Sequence, residues 1–407
     1  MELKLYDSLN RKLTEFTPEN PELVTMYTCG PTVYDYVTIG NYRTYTLGDL
    51  LYRTLQYKKY DVRYVMNITD VGHLTGDNLG DADIGDDRLE KAAEKEGKSA
   101  REVSDFYIKD FKDGFRELNI LKPTKFTRAT EYIDEQIKLV KELEKRGYTY
   151  RISDGIYFNT AKFENYGELS GLVEEQLKEG ARVEPNPEKK NAADFALWKF
   201  SPKNSERWQE WNSPWGKGYP GWHLECSAMC MTELGDTVDI HIGGEDLKMI
   251  HHQNEIAQSE SVTGQKFVNY WIHGAFLQVD NGKMSKSLGN AYTLDDIKAK
   301  NFDPLALRYF YLSAHYRSKL NFTWEALSGA QSALNRLYNI LSGYKETEGT
   351  VSADHIFKFE EAVFDDLNMP KAVAVVWDLI KSDLPEGDKV QTLINFDQIL
   401  GLNLQDY

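Results

Sequence analysis

The sequence predicts an α/β fold, in which a parallel-sheet domain is interrupted by a connective insertion and followed by an α-helical C-terminal domain. Three observations support this fold class. A strand–helix–strand pattern occupies residues 22–68, and a strand pattern returns near residues 239–242, after a stretch rich in Pro, Gly and Trp. From about residue 324 onward, apolar residues recur with helical spacing. Strand–helix–strand units build parallel sheets.

The first of these units begins with a strand over residues 22–29, which ends at Cys29. A helix is predicted over residues 40–56, because its leucines fall on one face, and a second strand over residues 61–68. Ligands on parallel sheets bind beyond the carboxyl ends of the strands. The sequence therefore places Cys29 and Gly30 at a ligand-binding edge.

In the rest of the chain, the residue composition and the predicted secondary structure change at several points. Residues 77–87 are interpreted as a mobile, Gly- and Asp-rich loop, and helical patterns cover about 88–118 and 130–146. Residues 151–220 hold five prolines and short strand-like runs such as 155–158. The 407 residues are therefore divided into the first half of the parallel-sheet domain (1–120), a connective insertion (121–200), the second half (201–275), a linking domain (276–325) and a helical domain (326–407).

The composition argues against a membrane-spanning, secreted or disulfide-rich protein. Hydrophobic residues make up 41% of the chain, yet no apolar run reaches the roughly 18 residues of a membrane span. The N-terminus does not have the apolar stretch of a secretory signal, so we expect a cytoplasmic protein. Three cysteines are too few for a disulfide framework and favour metal binding or burial. The net charge of −16 opposes binding of nucleic acid except at a local basic face.

Four residues carry the thiolate, imidazole or carboxylate groups that suit a tetrahedral zinc ion: Cys29, Cys226, His251 and Glu255. His251 and Glu255 are four residues apart and share one face of a helix. The spacing is equally compatible with two buried cysteines and an exposed helix. His252 competes with His251 for the ligand position, and Cys230 competes with Cys226.

Two segments suit phosphate binding. Residues 282–290 form a compact loop that supplies two lysines and two hydroxyls, namely Lys283, Ser285, Lys286 and Ser287. Such a loop can wrap a polyphosphate and stabilise the charge that develops on it. The other segment, Thr38 to Asn41, opens the first helix, where free N–H groups attract phosphate, and Gly40 allows a ligand to approach closely.

Together these residues resemble class I aminoacyl-tRNA synthetases, and within them the cysteine–tRNA ligases. The resemblance runs from about residue 5 to 400 and rests on YTCGPTVYD (27–35), NITD (67–70), GWHLECSAM (221–229), DIHIGGED (239–246), HHQNE (251–255) and KMSKS (283–287). It implies a Rossmann-like catalytic domain that activates L-cysteine with Mg-ATP and transfers it to the 3′ end of tRNA(Cys). It also implies one zinc ion per chain, and we expect a monomer without membrane attachment.

The resemblance assigns roles residue by residue. The zinc ligands are Cys29, Cys226, His251 and Glu255. The residues around the substrate cysteine are Gly30, Thr69, Trp222 and His241, with Trp222 closing over the side chain. The ATP-binding residues are Thr38, Gly40, Asn41, Asp246, Lys283, Ser285 and Lys286, with Asp246 on the ribose and Lys286 on the phosphates. Among these, the catalytic residues are Thr38, Asn41, Lys283 and Lys286.

The chain departs from the family pattern at three places. Thr38 stands where the family usually has histidine, which predicts a weaker phosphate clamp, and residues 71–73 read VGH where acidic residues are common. Residues 357–402 resemble the anticodon-side helices, but the small module that usually follows them is missing. Two alternatives stay open. One is a related ligase that transfers cysteine to an amino sugar, and the other is a non-catalytic paralogue that binds cysteine or tRNA.

Overall fold

Strand β3 (Val24–Thr28), helix α1 (Ile39–Tyr57) and strand β4 (Val62–Ile68) form the first parallel unit, as the sequence predicts. The computed structural model describes residues 1–71, 74, 86–171, 186–201, 207, 209–285 and 288–407. Within these parts of the chain, every helix is too short or too polar to span a bilayer. A short antiparallel hairpin, β1 (Lys4–Asp7) and β2 (Lys12–Glu15), precedes the first unit.

The central sheet has the strand order β11-β10-β3-β4-β5, and all of its pairings are parallel. Its other strands are β5 (Lys125–Arg128), β10 (Val238–Gly244) and β11 (Val268–Gly274). Most residues of β3, β4 and β10 are buried, as expected for strands covered on both faces. The chain runs outward from β3 in both directions, so a topological switch point lies between β3 and β10, where α/β sheets bind ligands.

The helical pattern predicted over residues 88–118 is confirmed and consists of two helices, α2 (Arg88–Glu96) and α3 (Ala100–Glu117). Gly97 takes a left-handed conformation with φ of +63°, which ends α2. Ser99 then begins α3 with a capping box to Glu102. The next helix, α4, covers Ile133–Lys145, after a short 3-10 turn.

The insertion forms an antiparallel sheet of order β6-β7-β8-β9, made of β6 (Thr149–Ile152), β7 (Gly155–Phe158), β8 (Phe195–Phe200) and β9 (Gly218–Pro220). Helix α5 (Trp222–Leu234) follows β9 directly, with Gly221 as its N-cap. A Cβ at Gly221 would lie 2.0 Å from the carbonyl oxygen of Ala196, so only glycine fits there. This close approach fixes the start of α5 against the insertion sheet. The predicted boundary at residue 200 stays a prediction.

A small sheet of order β13-β12-β14 lies beyond the central sheet and contains β12 (Leu277–Val279), β13 (Gly282–Lys283) and β14 (Leu320–Phe322). The remaining helices are α6 (His251–Thr263), α7 (Leu294–Ala299), α8 (Pro304–Leu312), α9 (Trp324–Gly343), α10 (Ala353–Val363), α11 (Met369–Lys381) and α12 (Glu386–Leu400). The helical C-terminal region is therefore confirmed. Fully buried Arg308 of α8 ties it to α1, because it contacts Asp49 at 2.5 Å and the Leu400 carbonyl at 2.7 Å.

Candidate active site

The cluster of metal-ligating side chains lies at the switch point of the central sheet. Cys29 follows β3, Cys226 lies in the second turn of α5, and His251 and Glu255 share one face of α6. All four side chains are buried, and their ligand atoms lie within 4.8 Å of one another. Residues that are more than 200 positions apart in sequence therefore meet in one place.

The distances in this cluster match the edges of a tetrahedron around a zinc-sized ion. The two sulfur atoms of Cys29 and Cys226 are 3.9 Å apart, and Cys29 Sγ lies 3.7 Å from Glu255 Oε1. The same Oε1 lies 3.1 Å from His251 Nε2. Ordinary zinc–ligand bond lengths give corresponding tetrahedral edges of about 3.8, 3.6 and 3.4 Å. The donor set and its spacing therefore fit zinc.

Electrostatics favour the charged forms of three of these ligands. The hydrogen bond from Cys29, together with the charge of His251, lowers the pKa of the Cys226 thiol to about 6, against the effect of burial. Burial would raise the pKa of Glu255, but His241 and His251 lower it to about 2. Burial would also lower the pKa of His251, but Cys226 and Glu255 raise it to about 10. Two of these charged forms are anions and one is a cation, so a bound metal would neutralise the anions and take the place of the proton on His251.

A second overlapping set also has metal-ligand geometry and consists of Cys29, His241, His252 and Glu255. His252 Nε2 lies 3.4 Å from Cys29 Sγ, and its Nδ1 lies 2.8 Å from His273 Nε2. His252 is therefore a structural competitor for His251, as the sequence suggests. Only the set with His251 opens on the cavity described below, because His251 lines that cavity while His241 and His252 are fully buried. Cys230 belongs to neither set.

The cavity in front of the metal cluster has a volume of about 650 Å³, which is in the range of small-molecule sites. It brings together residues that the sequence analysis assigned to ATP, cysteine and metal, namely Thr38, Gly40, Asn41, Trp222, Asp246, His251 and Lys283. Trp222 lies at the metal end, with its ring centroid 4.4 Å from that of His251. One cavity therefore connects the metal cluster to the phosphate-handling segments.

The two phosphate-handling segments contact each other at this cavity. Gly40 lies so close to the loop containing Lys283 that a Cβ at Gly40 would be 2.1 Å from the terminal methyl of Met284. The backbone N–H of Ile39 also donates to the carbonyl of Tyr292 at 2.9 Å. The start of α1 and the KMSKS loop are thus held against each other, as a shared polyphosphate site requires.

Thr38 is the N-cap of α1 and forms a capping box with Asn41. Its hydroxyl donates to Asn41 Oδ1 at 2.7 Å and accepts from the Asn41 backbone N–H at 3.4 Å. The only proton of the Thr38 hydroxyl is therefore engaged within the loop. Thr38 shapes the helix start, where the N–H groups of Ile39 and Asn41 are also engaged, by the Tyr292 carbonyl and by the Thr38 hydroxyl.

The KMSKS loop is described as far as Ser285. Asn290 braces it, because its side chain accepts from the Ser285 N–H at 2.9 Å and donates to the Lys283 carbonyl at 3.1 Å. Lys283 is exposed on the cavity. Lys286, the predicted phosphate ligand, and Ser287 lie outside the described residues, as do His73 and most of the predicted loop over 77–87.

The residues assigned to the substrate cysteine divide into three groups. Gly30 and Thr69 follow β3 and β4 and are not among the residues that line the cavity, and the Thr69 N–H donates to the Pro31 carbonyl at 3.0 Å. A Cβ at Gly30 would lie 1.9 Å from the Asn67 carbonyl oxygen, so glycine is required. Trp222 lines the cavity. His241 instead lies behind the metal cluster, with Nε2 3.0 Å from Glu255 Oε2.

Sequence reasoning missed several residues that line the cavity: Thr44, Phe276, Gln278, Met284 and Lys319. Thr44 could have been found, because it lies one helical turn after Gly40 and faces the same side. Lys319 carries no comparable signal. It reaches the cavity because β14, which follows it, pairs with β12, and that pairing joins segments about 40 residues apart.

Comparison with known proteins agrees with this geometry. Residues 15–332 match the family described as class I (C) tRNA synthetase catalytic domains. Cysteine–tRNA ligase 1 of Burkholderia lata is 48% identical over the whole chain and 86% of its own length. Cysteine–tRNA ligase of Treponema denticola is 44% identical over 99% of the chain and 87% of its own length.

Solved structures support the fold. A methionyl-tRNA synthetase of Mycobacterium tuberculosis, solved with methionyl-adenylate, aligns with a TM-score of 0.60 over 94% of this chain and 90% of its own. At 16% sequence identity, this likeness concerns the fold alone. Fold and family match together define a class I tRNA synthetase. Within that class, the chain belongs to the cysteine–tRNA ligase family.

Proposed function

We propose that this chain activates L-cysteine with Mg-ATP and transfers it to the 3′ end of tRNA(Cys). The observation that carries the proposal is the single cavity that joins the metal-binding cluster to both phosphate-handling segments. A cavity of about 650 Å³ has room for an amino acid next to a nucleotide. The relatives named cysteine–tRNA ligase, 40–48% identical over the full chain, support the same assignment.

We propose zinc as the metal, one ion per chain, held by Cys29, Cys226, His251 and Glu255. Cysteine and serine differ by one atom, and an apolar pocket separates such neighbours by only about 10- to 200-fold. When bound, zinc supplies a soft Lewis acid that prefers a thiolate to a neutral hydroxyl. In this proposal the ion selects the substrate and does not activate water.

The chain's own residues hold the substrate in place around this ion. Trp222, whose ring stands 4.4 Å from that of His251, closes over the cysteine side chain. Gly30 and Thr69 border the substrate from the ends of β3 and β4. His241 contacts Glu255 and not the cavity, so its part in cysteine recognition is to orient that ligand.

In the first step the cysteine carboxylate attacks the α-phosphorus of ATP, and pyrophosphate leaves with the electron pair of the broken P–O bond. Asp246, exposed on the cavity, accepts hydrogen bonds from the ribose hydroxyls. The N-terminus of α1, with Gly40 and Asn41, faces the phosphates. Lys283 stabilises charge on the leaving group, and Ser285 and Lys286 complete this loop. These groups act by positioning and by charge stabilisation.

In the second step the terminal ribose hydroxyl of tRNA attacks the cysteinyl carbonyl, and AMP leaves. Cysteine-dependent exchange of pyrophosphate into ATP tests the first step, and charging of tRNA(Cys) tests the second. Activity in both is expected. Exchange without charging, combined with ligation of cysteine to an amino sugar, would favour the related ligase. Absence of exchange would favour a paralogue that only binds. Cytoplasmic location and a monomeric state stay predictions.

A further inference from the structure

Lys319 lines the cavity but lies outside both phosphate-handling segments, just before strand β14. It immediately precedes β14, whose Leu320 pairs with Leu277 of β12. On the other side of β12, Lys283 pairs with Gln278. Lys283, Gln278 and Lys319 all line the same cavity. Since neighbouring strands lie about 4.8 Å apart, β13 and β14 are about 10 Å apart, a gap that two lysine side chains can close around one polyphosphate.

The backbone next to Lys319 is anchored to the helix that opens the ATP site. Buried Arg43, two residues after Asn41, donates from Nη2 to the carbonyls of His315 and Ser318, at 3.2 and 2.6 Å. Its Nη1 donates to the carbonyls of Ala275 and Phe276, at 2.7 and 2.9 Å. One guanidinium thus ties α1, the edge of β12 and the turn before Lys319 together. The position of Lys319 relative to Asn41 is therefore fixed by the fold.

The charge of Lys319 is available to a ligand. Lys319 is exposed, and it forms no ion pair with any carboxylate that the structure describes. Lys298 behaves differently, because its ammonium contacts Glu117 and Asp295, each at 2.9 Å. In a chain with a net charge of −16, a cation that faces a cavity without an acidic partner points to an anionic ligand.

We propose that Lys319 binds the β- and γ-phosphates of ATP opposite Lys283 and stabilises the pyrophosphate as it leaves. The phosphate belongs to ATP, because Thr38, Asn41 and Asp246 line the same cavity. This inference rests on the proposed function and adds a phosphate ligand outside both signature segments. It needs no chemical step beyond adenylate formation.

The test compares Lys319→Met and Lys319→Arg with a matched control, Lys381→Met, which removes an exposed lysine at the end of α11. Pyrophosphate exchange is measured without tRNA, with ATP and cysteine varied separately. Transfer to tRNA is measured in a single turnover from preformed cysteinyl-adenylate. Lys319→Met should lower kcat/KM for ATP by about 10- to 100-fold, as expected for the loss of one hydrogen bond to a charged group, and leave KM for cysteine and the transfer rate unchanged.

Lys319→Arg should retain exchange within a few-fold of the wild type, and Lys381→Met should match the wild type. Exchange by Lys319→Met at the wild-type rate overturns the inference while leaving the proposed function intact. A loss confined to the transfer reaction also overturns it, because the contact would then be to a phosphate of tRNA. A wild-type chain without cysteine-dependent exchange overturns the proposed function and this inference together.

Discussion

Replacing one metal ligand with its closest isostere should remove both the metal and the selection of cysteine. We predict that Cys226→Ser loses zinc and exchanges pyrophosphate poorly with cysteine. Cys226 Sγ lies 3.9 Å from Cys29 Sγ, as two ligands of one tetrahedral ion do. A neutral serine hydroxyl is a far weaker zinc ligand than the Cys226 thiol, whose low pKa favours the thiolate.

The size of the effect follows from the free energy of zinc binding that one ligand contributes. Zinc bound by four ligands in small peptides is stabilised by about 10–16 kcal/mol, or about 2.5–4 kcal/mol for each ligand. At about 1.4 kcal/mol for each factor of ten, losing Cys226 weakens zinc binding about 10²- to 10³-fold. The measurement is zinc content by mass spectrometry after dialysis against a graded series of chelator concentrations, with exchange kinetics on the same samples.

Cys230→Ser is the matched control. Cys230 lies on the same helix, one turn after Cys226, and is equally buried, but it belongs to neither set of ligating side chains. It should keep zinc and lose only the stability that burying a hydroxyl costs, about 1–3 kcal/mol. Full zinc occupancy in Cys226→Ser, or equal zinc loss in both variants, would refute the assignment.

Three further predictions concern ATP and tRNA. Thr38→His should speed adenylate formation and leave KM for cysteine unchanged, because histidine adds a hydrogen-bond donor to phosphate. It should also destabilise the fold by about 0.5–2 kcal/mol, because the N-cap of α1 is lost. Slower adenylate formation in this variant would refute the kinetic prediction. Asp246→Asn should raise KM for ATP about 10-fold or more, since a charged acceptor to the ribose is lost, and an unchanged KM would contradict that role. Charging should depend weakly on the anticodon, because residues 351–407 hold 11 acidic residues against 4 lysines, and a steep loss with anticodon-substituted tRNAs would argue against it.

The parallel sheet could be predicted from sequence because its signals are local, whereas the metal ligands were predicted from the resemblance to cysteine–tRNA ligases, since local spacing left His252 and Cys230 as alternatives. A strand that ends at Cys29, and a helix with His251 and Glu255 one turn apart, are visible as short patterns. The helical pattern over 88–118 did not specify the break after α2, where Gly97 takes a left-handed conformation and ends the helix. Lys319 could not be found, since its place in the cavity depends on strand pairing over a long sequence distance.

For His241, too, the sequence predicts which residue takes part in the site but not where its side chain lies. The sequence places His241 in β10 near the ligand-binding edge, which is compatible with direct contact to cysteine. In the structure its side chain points to Glu255 and stacks on Trp271 at 4.5 Å between ring centroids, and a direct contact to cysteine stays a prediction. Its effect on cysteine is therefore expected through the carboxylate that it orients.

The distribution of charge explains how so acidic a chain can handle a polyphosphate. The net charge of −16 opposes phosphate binding at long range, but salt screens such repulsion beyond about 10 Å. Inside the cavity the balance is local: Lys283, Lys319 and the N-terminus of α1 face one region, and Asp246 stands where the neutral ribose is proposed to bind. The acidic stretch over 351–407 includes no such cavity-lining cation among its described residues. Phosphate binding is therefore expected at this cavity and not along residues 351–407.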